Sequence, residues 1–86
     1  MNWYIITPCP KYAISEDGNH VLNTERMAVL HHQTGKVSAG KRVTLYYSKT
    51  FKGHTKVYKQ AYPLEHLRTF INDNNKVNID ETNIIW

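Results

Sequence analysis

The side chains in this chain that could do chemistry are five histidines, one cysteine and a set of lysines crowded into its middle. A metal site needs ligands that converge. His31 and His32 are adjacent, so on a strand they face opposite ways. His66 has no partner four residues on, and His20 and His54 fall in or near turns. No metal and no cofactor is implied. The lone Cys9, between Pro8 and Pro10, rules out an internal disulfide and a thiolate zinc site, and reads as a small apolar loop residue. No nucleophile elbow and no glycine-rich phosphate loop occurs.

The lysines are different. From Met27 to Leu64 there is no Asp or Glu, and the window carries Lys36, Lys41, Arg42, Lys49, Lys52, Lys56 and Lys59. The whole chain has a net charge of +4, so the excess lies entirely in the middle and the flanks are slightly acidic. A positive field of this kind favours an anionic partner. Tyr46, Phe51 and Tyr58 are interleaved with the lysines. Lysines neutralise phosphates and aromatics stack on bases, so the pattern suits nucleic acid. The same residues could also form a solvated face with the aromatics turned inward.

The elements that must position these groups follow from periodicity. At 86 residues with 41% hydrophobic content, the chain has room for one domain, residues 1–86, and one small core. Trp3–Ile6 opens as a strand or extended arm, ended by Pro8 and Pro10. Tyr12 and Ile14 alternate with Ala13 and Ser15. Glu16-Asp17-Gly18-Asn19 is a turn, and Val21 resumes the apolar run, so residues 12–23 predict a β-hairpin. Arg42–Ser48 is the clearest strand: Val43, Leu45 and Tyr47 point one way, and Arg42, Thr44, Tyr46 and Ser48 the other. Residues 49–54 turn the chain, and Thr55–Gln60 returns as the antiparallel partner. Pro63 then fits a first helical position, and Leu64, Leu67, Phe70 and Ile71 form one apolar stripe. Residues 72–75 stop that helix. The tail, Val77–Trp86, is expected to be irregular or strand-like, with Trp86 packed back on the domain. The fold class expected is α+β: a small antiparallel β-sheet of hairpins packed with one C-terminal helix.

The order of motifs resembles a known module. Trp3, Tyr12-x-Ile14-Ser15, Gly18, Val21 and Asn23, the pair Gly35-Lys36, Val43-x-Leu45, the basic hairpin and Leu67-x-x-Phe70-Ile71 resemble the nuclease-associated modular DNA-binding domain of phage and intron HNH homing endonucleases. The resemblance spans residues 3–71. Residues 72–86, with Asn74-Asn75 and Asn83-Ile84-Ile85-Trp86, look like a degenerate HNH unit. The chain departs from the pattern by one extra residue between Gly18 and Val21, by Lys41 where an aromatic usually follows the loop glycine, and by Lys59-Gln60-Ala61 in place of His-Arg-Leu.

An HNH site uses an acid–histidine pair on a strand, the histidine as general base and the acid on the metal. The resemblance implies such a pair between Phe70 and Asn74, but only Ile71, Asn72 and Asp73 lie there, and no Asp-His dipeptide exists in the chain. The expectation is therefore a non-catalytic protein that binds duplex DNA. The candidate contacts are Lys36, Lys41, Arg42, Lys49, Lys52, Lys56, Lys59, Tyr46 and Tyr58. The alternative is a small phage-type modulator that grips a host protein such as a nuclease, a defence complex or a polymerase. No basic-then-apolar leader opens the chain, and no apolar run approaches the roughly 18 residues that suggest a membrane span. The expected location is the cytoplasm of a bacterial host cell.

Overall fold

A computed structural model describes residues 1–30, 33–34 and 41–86. Among the described residues eight strands run in chain order: β1 Trp3–Ile5, β2 Tyr12–Ser15, β3 Val21–Asn23, β4 Ala28–Val29, β5 Gln33–Thr34, β6 Lys41–Phe51, β7 His54–Pro63 and β8 Lys76–Val77. One short helix, α1, spans Leu64–Leu67. The fold is α+β, with antiparallel pairing throughout both sheets. The first sheet has the order β4-β3-β2-β1-β8, and the second β5-β6-β7.

The first hairpin forms where the alternation and the turn residues place it, with Ile14 opposite Val21 and Tyr12 opposite Asn23. Its turn is closed by specific groups. Gly18 takes φ +73°, which a side chain resists. The Asn19 amide donates to the Asp17 carboxylate at 2.9 Å, and the Ser15 hydroxyl donates to the same oxygen. Those bonds, the Ser15 hydroxyl's first, hold the Asp17 carboxyl below its ordinary value. Arg68 lies on the turn, its Nε donating to the Gly18 carbonyl at 3.2 Å.

The small or polar side of the alternation, Ala13 and Ser15, is buried as well as the apolar side: all four residues of β2 are buried. The first sheet is covered on both faces. On one side Tyr4, Ile6, Tyr12, Ile14 and Val21 pack against Val43, Leu45, Leu64 and Leu67. On the other, Trp3, Ala13 and Leu22 pack against Ile84, with Ile5, Met27, Val29, Val77 and Ile79 around them. The second layer comes from the tail, far along the chain. Ile84, not Trp86, is its buried residue. Trp86 remains 58% exposed, although its ring lies 6.1 Å from Trp3 and edge-on to His20 at 5.3 Å.

The helix is also shorter than its stripe. Leu64 and Leu67 are buried on one turn of α-helix, and Arg68–Phe70 tightens into a 3-10 turn. The Thr69 hydroxyl donates to the His66 carbonyl at 2.6 Å, which competes for the acceptor a longer α-helix would use. Pro63 sits one position earlier than expected. It ends β7 opposite Arg42 and serves as the N-cap with ψ 141°.

Candidate nucleic-acid interface

The register of β6 and β7 is unbroken from Arg42–Pro63 to Phe51–His54, so both strands run well past the expected ends at Ser48 and Gln60. Only Lys52 and Gly53 remain in the loop, at φ +51° and +77°. Two consecutive left-handed residues make a type I′ turn, whose twist matches that of the flanking strands. Gly53 suits it; Lys52 is an uncommon residue there.

At its root the hairpin belongs to the core, through Val43 and Leu45. Leu45 is the last buried residue on β6, and no residue of β7 is fully buried. From Tyr46 to Phe51 the pair is therefore a largely exposed ribbon, about 17 Å long at the usual rise per residue. The radius of gyration, 13.4 Å, exceeds the roughly 12 Å expected of a compact chain this size, in keeping with a protruding arm. Among the described residues β7 is an edge strand, and β5 pairs with β6 at Lys41 and Arg42.

Antiparallel partners share a face, so the register sorts the candidate residues. The face continuous with the core carries Tyr47 opposite Tyr58, Lys49 opposite Lys56, and Phe51 opposite His54. The two tyrosine rings stack at 5.6 Å and 21°. The Lys49 ammonium lies 5.7 Å from the Tyr47 ring centre and 6.0 Å from that of Tyr58, within cation–π range. The Lys52 ammonium lies 5.5 Å from the Phe51 ring centre. Lys49, Phe51, Lys52, His54, Lys56 and Tyr58 line an open concavity of about 490 Å³.

The opposite face carries Arg42, Tyr46 paired with Lys59, and Val57. The structure thus brings Lys49, Lys52, Lys56 and Tyr58 together and places Tyr46, Lys59 and Arg42 on the other side. Lys41 opens β6 at the root, and Lys36 lies outside the described residues, as do His31 and His32. Phe51 and His54 line the concavity, and Tyr47 stacks on Tyr58 beside it, without having been among the candidate contacts. The Lys-Gly turn carried the missing signal, because a two-residue loop fixes the register and hence these pairs.

Electrostatically the ribbon is one-signed. Residues 41–63 hold six cations and no acid, while the rest of the chain holds five cations and seven acids. The only side-chain ion pair among the described residues joins Lys11 and Glu25, which line a cleft with Tyr46, Ser48 and Val57, and no described carboxylate pairs with Lys49, Lys52 or Lys56. Lys49 and Lys56 face each other directly, an arrangement that costs stability in a sheet.

The other reactive residue types have local roles. Cys9 is buried, and burial pushes its thiol up, opposed by the Tyr62 hydroxyl 3.9 Å away. His66 stacks on Tyr62 at 5.9 Å. The Asn75 side chain donates to the Phe70 carbonyl at 2.9 Å, and Asn72 caps the turn that follows. Among the described residues no three His, Cys, Asp or Glu converge as a metal site, and no helix is long and apolar enough to cross a membrane.

No family model matches the chain, no curated protein matches it, and no solved structure matches it.

Proposed function

We propose that this chain is a non-catalytic DNA-binding protein of the kind attached to HNH homing endonucleases, phage-derived and acting in the bacterial cytoplasm. It grips duplex DNA with the β6–β7 ribbon. The observation that carries the reading is the Lys49–Lys56 pair. Two like charges stand opposite each other at the exposed end of a ribbon that has six cations and no acid. Among the described residues no carboxylate pairs with them, and a phosphate backbone would neutralise them. A two-stranded ribbon also fits the major groove, which is about 12 Å wide. Lys52 at the turn extends the same cationic line.

The test is an anisotropy titration of a labelled duplex at two salt concentrations. Phosphate contacts release counterions, so affinity falls steeply with salt. Affinity that is absent, or indifferent to salt, overturns the reading.

The outer face supports a second reading. Val57 is 70% exposed and Tyr46 51%, side chains suited to a protein contact. A host protein retained from nuclease-treated lysate, and released by Val57→Lys but not by Lys49→Gln, would favour a protein modulator.

A further inference from the structure

The ribbon's end holds a side chain that phosphate binding alone does not use. Phe51 is 73% exposed, more than any other large hydrophobic residue among those described. It is the last residue of β6, paired with His54 across a two-residue turn, so its backbone is fixed at the very tip. Tyr47 and Tyr58 occupy each other's faces by stacking, whereas Phe51 has only the Lys52 ammonium over its ring. Lys49, Lys52 and Lys56 surround it on the same concavity. Leaving a phenyl ring in water at a ribbon's tip does nothing for the core, which ends at Leu45 on this strand.

We propose that Phe51 is a wedge that inserts between base pairs of duplex DNA, so that the protein selects steps that are already weakly stacked. This rests on the duplex-binding reading above. The reach fits: a ribbon about 17 Å long exceeds the roughly 8 Å depth of either groove, so the tip meets the base pairs while the lysines behind it meet phosphates. Apolar side chains that enter a base step part it and kink the helix, at a cost set by the stacking they disrupt. A mismatched or nicked step has lost part of that stacking beforehand. The chemical class selected is therefore duplex DNA with a mismatch, a nick or a flexible pyrimidine–purine step.

The test compares two duplexes of one length, one intact and one with a central mismatch flanked by 2-aminopurine, with end-to-end energy transfer reporting the bend. The wild type should bind the mismatched duplex more tightly, by roughly 5- to 150-fold, the range one base–aromatic stack supplies. It should also bend that duplex and change the 2-aminopurine signal. Phe51→Ala should bring the ratio of the two affinities near one and abolish the bend. Lys49→Gln should weaken both complexes in proportion and leave the ratio standing. A ratio and bend that survive Phe51→Ala overturn the wedge while leaving duplex binding intact. Single-stranded DNA bound more tightly than the mismatched duplex also overturns it, in favour of a stacking platform. Failure to bind any of these DNAs overturns both the wedge and the reading beneath it.

Discussion

Charge reversal at one end of the Lys49–Lys56 pair separates what the ribbon does for the fold from what it does for a partner. In Lys56→Glu a cross-strand repulsion becomes an attraction between the same two positions. Each such exposed pair counts for about 0.2–1 kcal/mol, so the swing stabilises the ribbon by about 0.5–1 kcal/mol. Lys and Glu are similarly poor strand formers, so propensity adds little. For 86 residues, at about 2 cal/mol/K of unfolding entropy per residue, that corresponds to a Tm rise of about 3–6 °C. The gain should fade in 1 M salt, where the Debye length is about 3 Å.

Binding should move the other way. With Lys49, Lys52 and Lys56 each on a phosphate, the slope of log K against log salt is about −2.7, a loss of about 40-fold between 50 and 200 mM. Lys56→Glu removes one contact and occupies Lys49 with the new carboxylate. The slope should drop to about −0.9, and the same salt step should cost only about 3.5-fold. Calorimetry and anisotropy titrations on the same preparations give both numbers. A lower Tm would mean that the two ammonium groups do not repel. A slope within half a unit of the wild type would mean that they do not meet phosphates. Either result refutes the reasoning, because a lysine kept only for the fold cannot improve stability by its removal.

Three further predictions concern the two hairpin turns. Gly53→Ala should cost about 1–2 kcal/mol, the strain of a left-handed alanine, since open space surrounds its Cβ. Gly18→Ala should cost more, because its Cβ would lie 2.7 Å from Arg68 Nε, and Arg68→Ala in that background should recover the difference in denaturant unfolding. Ser15→Ala removes the donor to Asp17 and the acceptor of the His20 amide in a fully buried site, a loss of about 1–3 kcal/mol at pH 7. The Asp17 carboxyl is held low in the fold, so its contribution is complete above its unfolded value and disappears as pH falls through the folded one. The gap between wild type and Ser15→Ala should therefore narrow below about pH 4.

Local signals in the sequence located the hairpins and, less completely, the helix. Asp17-Gly18-Asn19 and the alternation around it specify a turn within a few residues of chain. The burial of Ala13 was not legible, because the layer over it arrives with Ile84, about seventy residues later. The helix stripe was legible, but its length was not, since the Thr69 hydroxyl takes a carbonyl that the stripe says nothing about.

The ribbon's ends were misplaced for a more informative reason. Period-two alternation marks a strand with one buried face. Beyond Leu45 the β6–β7 ribbon loses its core, so the alternation weakens even though the pairing continues to Phe51 and His54. Lys, Thr, Phe and Tyr then follow one another with no regard for inside and outside, and Lys52 occupies a turn position that asparagine or glycine would fill with less strain. Stability alone would not select such choices. A segment that stays paired while its residue types stop obeying the core is free of the core's constraint, and here the composition it takes up is cationic and aromatic, the composition that the proposed duplex-binding reading requires.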